Sequence, residues 1–129
     1  PAGITGFTLD RMAIALDLAG DALAIMYSDL DRVGVINETV GGLEVAVVVD
    51  PADGDRWETF ARRIDDRVLT LAIENGELVD LETGTIWDPV RGRAMSGPLE
   101  GEILGILPGF TIFPRDFWTF FPEGRLWEP

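Results

Sequence analysis

The stretch VVVDPADGD, Val47 to Asp55, sets three carboxylates around a proline and a glycine directly after an apolar run. Asp50, Asp53 and Asp55 could offer oxygens to a hard cation such as calcium or magnesium. A pair of acids, Asp50 with Glu38 or Glu44, would suit general acid–base work of the hydrolase type. The spacing departs from the EF-hand loop, whose glycine and acids fall elsewhere. The same residues also make a ligand-free turn, in which Asp and Pro open the reversal, Asp and Gly close it, and the charges face water. With 23 acidic residues in 129, some carboxylates must lie near one another whatever the function. The plain turn is therefore the preferred reading, with a metal site on Asp50, Asp53 and Asp55 as its rival.

Cys, His and Lys, three residue types that carry much of covalent and acid–base chemistry, are all missing from the chain. Without Cys there is no thiolate nucleophile, disulfide, Cys-ligated zinc or iron–sulfur cluster. Without His there is no Ser-His-Asp triad and no base of ordinary pKa near neutrality. Without Lys there is no Schiff base and no phosphate-loop lysine. No cofactor is expected. The net charge of −13, from 23 acids against 10 arginines, disfavours nucleic acid and anionic lipid as partners. Such a surface suits a halophile or a basic protein partner, or simply a soluble protein in which Arg replaces Lys. Arg62-Arg63 could hold an anion, but in so acidic a chain internal ion pairing is the expected use.

The length suits one domain, residues 1–129, and 47% hydrophobic residues can supply a core. No apolar run approaches the ~20 residues of a membrane span, and no stretch reads as a signal peptide. Pro1 in the first position is expected of a chain that was processed or cut from a longer one. Fifteen glycines and eight prolines divide the sequence into short segments, as in a mostly β domain.

In MAIALDLAGDALAIMY, Ile14, Leu16 and Leu18 share one face and Leu23, Ile25 and Tyr27 another, around the turn Ala19–Asp21; this predicts a hairpin. SDLDRVGVIN predicts a short helical turn capped by Ser28 or Asp29. VAVVV, apolar on both faces, predicts a central strand. Further turns are expected at IDDR, at ENGE, where Asn75-Gly76 is a strong hairpin signal, and at ETGT. The glycines of Gly41-Gly42 and Gly97-Pro98 are expected to hold strand register. Pro114 opens a helix that Pro122 and Gly124 stop. That helix carries Phe117, Trp118, Phe120 and Phe121, more large aromatic surface than one small domain need bury, so Phe117, Trp118, Phe121 and Trp127 are candidate interaction residues. Trp87 is expected in the core.

Several phrases together resemble one family. VGVINETVGGLEVAVVVDPADG (Val33–Gly54), DDRVLTLA, LVDLETGTIW, RGRAMSGPLEGEIL and RDFWTFFPEGRLW occur in the order and spacing of the domain-of-unknown-function family 3179. The resemblance runs from about Ala13 to Trp127. It implies a protein that works outside the cytoplasm. The departures from the family pattern are specific. Its histidine falls at Val33, its two cysteines at Asp50 and Asp53, and a glutamine after the tryptophan at Pro89, while Pro51 and Gly54 are kept. The phrases that build the scaffold survive and the groups able to do chemistry are replaced.

These readings converge on a mostly β domain (β-rich α+β), a compact single sheet or barrel-like arrangement of short antiparallel strands with one or two short helices. The expected function is that of a non-catalytic structural or accessory module, a subunit or interaction domain of a larger extracytoplasmic or membrane-associated assembly. A protein partner or a homo-oligomer is expected. The alternatives are a metal-binding protein or hydrolase-type enzyme using the acids of Asp50–Asp55, and a small-ligand binder.

Overall fold

The structure is a computed structural model that describes residues 9–129; residues 1–8 of the expected domain lie outside the described residues. Along the chain run β1 (Ala13–Leu18), β2 (Asp21–Met26), α1 (Tyr27–Val33), β3 (Val35–Val40), β4 (Leu43–Asp50) and β5 (Asp53–Ala61). Then follow β6 (Arg63–Ile64), β7 (Arg67–Val68), β8 (Leu71–Glu74), β9 (Glu77–Asp80), β10 (Ile86–Trp87) and β11 (Ala94–Ser96). The chain closes with β12 (Phe110–Ile112), α2 (Pro114–Phe120) and β13 (Arg125–Leu126). The fold is β-rich with short helices, as expected. Its strands fall into several small sheets, ordered β12-β1-β2-β13, β3-β4-β5 and β11-β10-β9-β8, with β6-β7 as a separate ribbon, and none of these closes into a barrel.

The three larger sheets are layers, and β4 explains the stacking. Its Val45, Val47 and Val49 join Ile14, Leu16, Leu23 and Ile25 in one core. Its Ala46 and Val48 join Phe60, Leu71, Leu78 and Trp87 in a second core on the opposite face. A strand buried on both sides needs an apolar residue at every position, and VAVVV supplies it. The outer face of the β1–β2 hairpin carries Ala13, Ala15, Ala22 and Ala24, which pack with Phe117 of α2 in a third cluster. Small side chains there let the helix lie close to the sheet, so the alternation of large and small residues in AIALDL sets both neighbours of the hairpin.

Turn chemistry follows the same local logic. Ala19-Gly20, Gly41-Gly42 and Asn75-Gly76 join β1 to β2, β3 to β4 and β8 to β9, and in all three pairs both residues have positive φ. Two-residue hairpin turns of this hand match the twist of the flanking strands. At Gly41 the requirement is doubled, because a Cβ would come within 2.2 Å of the Leu18 carbonyl oxygen.

One cap differs from expectation. The residue before α1 is Met26, in extended conformation, and no side chain caps the helix; Ser28 and Asp29 lie inside its first turn. The cause is Tyr27. Its ring is buried in the first core, so β2 passes into the helix without a linker and Tyr27 itself becomes the first helical residue. Gly34, at φ 83°, ends the helix and donates its N–H to the Leu30 carbonyl at 2.7 Å, the left-handed stop that glycine favours. Among the described residues no helix is long and apolar enough to cross a membrane.

Candidate functional site

The acidic turn sits at the far end of β4. Asp50 pairs with Asp53 across Pro51-Ala52, after which the register of β4 against β5 shifts. Residues 54–56 therefore bulge from the ladder. A bulge leaves backbone groups without their sheet partners, and the Gly54 carbonyl here accepts the Tyr27 hydroxyl. The hairpin is thus fastened to the core by a buried phenol. Burial, and then the carboxylates of Asp31, Asp55, Asp10 and Asp53, push the Tyr27 hydroxyl up to about 12.

Two of the three carboxylates each give one oxygen to their own turn. Asp50 Oδ1 accepts the Ala52 N–H at 2.9 Å and Asp53 Oδ1 accepts the Asp55 N–H at 3.1 Å. Among the described residues no three acidic side chains converge in a way that would hold a metal ion. The suggested acid pairs are not brought together either. Glu44 is the second residue of β4 and Asp50 its last, roughly 20 Å apart at about 3.3 Å per residue. Glu44 instead pairs with Arg63 at 2.9 Å, and Glu38 lies 3.9 Å from Arg125.

Arg62 corrects the expectation of ion pairing for one half of the arginine pair. Its guanidinium donates to three backbone carbonyls, those of Val45 at 2.9 Å, Leu69 at 3.0 Å and Glu38 at 3.2 Å. A planar fork of donors suits such a junction, and here it ties β3, β4 and the segment before β8 together. Asn37 does similar work. Its amide donates to the Leu71 carbonyl at 2.9 Å and accepts the Leu71 N–H at 3.0 Å, extending a sheet-like bridge from β3 to the neighbouring layer.

The phrase DLETGTIW builds a group that local reading missed. Asp80 is fully buried. Its carboxylate accepts the Trp87 indole N–H at 2.9 Å, the Thr83 N–H at 2.6 Å and the Thr83 hydroxyl at 2.8 Å. The Thr83 and Thr85 hydroxyls stand 2.7 Å apart, and Thr85 Oγ1 accepts the Leu99 N–H at 3.0 Å. Gly97 rests on Thr85, where a Cβ would lie 2.9 Å from its Cα. Two phrases of the resemblance, ETGTIW and SGPLEG, thus lock together through hydrogen bonds, and a buried polar group is tolerated when its oxygens are so satisfied. The signal was the spacing of Asp80, Thr83, Thr85 and Trp87, which puts all four around one turn. Trp87 is core, as expected.

Three of the positions that the resemblance singles out, Val33, Asp50 and Pro89, lie around two adjoining hollows. Val33 and Asp50 line one hollow of about 420 Å³, together with Gly34, Pro51 and Gly54. Asp50 and Pro51 also wall a neighbouring groove of about 330 Å³, whose far side is formed by Trp87, Pro89 and Met95. Val33, Asp50 and Pro89 therefore surround one end of the middle sheet.

The aromatic end divides. Phe117 is fully buried against the alanines of β1 and β2, so it is core and not available to a partner. Gly124 lies flush on its ring, where a Cβ would approach within 2.6 Å. Phe121 is half-buried, with its ring 5.3 Å from that of Phe117 and 6.4 Å from that of Phe110. Trp118 is 44% exposed and Phe120 71%. Trp127 is half-buried against the first core and donates its N–H to the Ala24 carbonyl at 2.8 Å.

Comparison with curated proteins and with solved structures returned no match. Comparison with protein families matched residues 6–124 to the family described as "Protein of unknown function (DUF3179)". With nearly the whole chain covered, the chain belongs to the DUF3179 family.

Proposed function

We propose that the chain is a non-catalytic accessory module, a subunit or interaction domain of an extracytoplasmic or membrane-associated assembly. The observation that carries the reading is the lining of the cleft around Val33, Asp50 and Pro89. Beside Val33, Pro51 and Pro89 its charged side chains are Asp31, Arg32, Asp50, Glu77 and Asp88, no three acids of which are gathered to hold a metal ion, and the carboxylate of Asp50 has one oxygen held by its own turn. The polar side chains of the family phrases, Asn37, Asp80, Thr83 and Thr85, are spent on internal hydrogen bonds. The exposed rings of Trp118 and Phe120 remain as surface for a partner, and burying one such ring contributes ~1.5–3 kcal/mol.

Light scattering on the native protein, alone and mixed with the products of neighbouring genes, tests the reading. The expected result is an assembly larger than the monomer that Trp118→Ala and Phe121→Ala weaken, with Trp118→Ala still folded because its ring is largely outside the core. A monomer under all these conditions overturns the proposal. So does a calcium-dependent rise in melting temperature that disappears in the doubly substituted Asp50→Asn, Asp53→Asn protein, since that result makes the turn a cation site.

A further inference from the structure

We propose that the groove between the β4–β5 and β8–β9 turns receives a short segment of a partner protein in which an arginine or lysine neighbours an aliphatic side chain. The proposal rests on the accessory reading and names the partner's chemistry. The groove, about 330 Å³, is apolar in its body: Pro51, Ile86, Pro89 and the edge of Trp87 line it with Met95. Met95 is 57% exposed, so its thioether is open to a partner at the edge of this apolar lining. A flexible thioether adapts to varied aliphatic partners, and an exposed apolar lining of this kind marks contact surface.

Charge chooses the occupant. The remaining side chains of the lining include Asp50, Glu77 and Asp88, and no arginine. Arg91 and Arg93 lie beyond the Asp88–Met95 ridge, in a separate hollow. Asp50 and Asp88 each use Oδ1 for a turn, accepting from the N–H groups of Ala52 and Val90. Their Oδ2 atoms and the Glu77 carboxylate have no hydrogen-bond partner among the described residues. An apolar trough edged by anions alone attracts a cation on an aliphatic stem, which can lay its methylenes along the prolines and carry its charge to the edge. The net charge of −13 acts in the same sense at longer range, drawing basic partners and repelling a second copy of this chain. The indole N–H of Trp87 in the lining is taken by Asp80 and so is not left to orient an enclosed small molecule, as the placed polar groups of dedicated ligand pockets do.

The probe is the blocked peptide acetyl-Arg-Leu-Arg-amide, titrated into isotopically labelled protein at low salt and followed by amide shifts. Saturable changes are expected at Gly76, Glu77, Trp87 and Met95, weakened about tenfold by Glu77→Gln combined with Asp88→Asn, and by added salt. Asn keeps the oxygen that the Asp88 turn uses, so the variant keeps its fold, which its unchanged melting temperature verifies. Glu123→Gln, at the chain's other end, should bind as wild type. Changes confined to the α2 aromatics, equal binding of acetyl-Glu-Leu-Glu-amide, or no saturable change overturns this inference and leaves the accessory reading standing. Binding at the groove by a protein that stays monomeric with every genomic neighbour supports the inference and overturns the accessory reading.

Discussion

Tyr27 is a residue whose environment can be read in isolation. It is the one tyrosine of a chain without Lys or Cys, so between about pH 9 and pH 12 no other side chain has its ordinary pKa. Burial and the surrounding carboxylates raise it to about 12, against about 10 in an unfolded chain. Between those values the unfolded state has lost the proton and the folded state still holds it. The contribution to stability is therefore complete below about pH 10 and is lost as pH rises through about 12. Tyrosinate absorbance should show a folded midpoint near 12 that returns to the ordinary value in urea. Tyr27→Phe should remove this alkaline loss of stability and, by leaving the Gly54 carbonyl of the bulge unpaired, cost ~1–3 kcal/mol at neutral pH. A folded midpoint near 10 would mean that the phenol is open to water and that the hairpin is not held from beneath.

Among the elements, the turns separate two uses of glycine. Gly42, at φ 80°, faces open space, so a side chain there meets only backbone strain. Gly97, at φ 112°, presses on the Thr85 backbone, and a side chain must push Thr85 away from Thr83 and the Asp80 carboxylate. Gly42→Val should cost ~1 kcal/mol from the conformation alone. Gly97→Val should cost clearly more, because the buried knot is disturbed as well, and should alter the Trp87 fluorescence that reports it. Denaturant midpoints of the two variants decide the matter. Equal losses would show that SGPL serves only as a turn. The short helix α2 belongs at this scale too. Seven residues do not make a stable helix in water, so its anchor is Phe117, packed between the β1–β2 alanines and Gly124. Phe117→Ala should cost ~3–5 kcal/mol, whereas Phe120→Ala should leave the melting temperature of the monomer unchanged. Comparable losses in both would mean that the helix docks by its other face.

The molecule as a whole carries its acids with little compensation. The ion pairs Arg63–Glu44, Arg125–Asp21 and Arg32–Asp29 are all largely solvent-facing, and exposed pairs contribute little. Self-repulsion should dominate the electrostatics of folding. Raising sodium chloride from about 0.01 M to about 0.1 M shortens the screening distance from about 30 Å to about 10 Å, and the melting temperature should rise across that range. A falling melting temperature would show that the surface pairs matter more than the net charge, and a flat one that the acids lie beyond mutual reach.

What the sequence by itself determined is what acts over a few residues. The alternation of AIALDL, the doubly apolar VAVVV, the Asn75-Gly76 turn and the start of α2 at Pro114 all occur where expected, because side-chain alternation and φ preference are local properties. The tertiary structure decided how these pieces meet. Tyr27 reaches Gly54 across 27 residues and Arg125 reaches Asp21 across 104, and neither contact has a local signature. The Arg62 carbonyl junction and the burial of Asp80 likewise depend on which layers stack. The same stacking draws Val33, Asp50 and Pro89 to one end of the sheet. Separation along the chain hides such neighbours, because the free energy that brings them together belongs to burying β4 on both faces and not to any of the residues at the site.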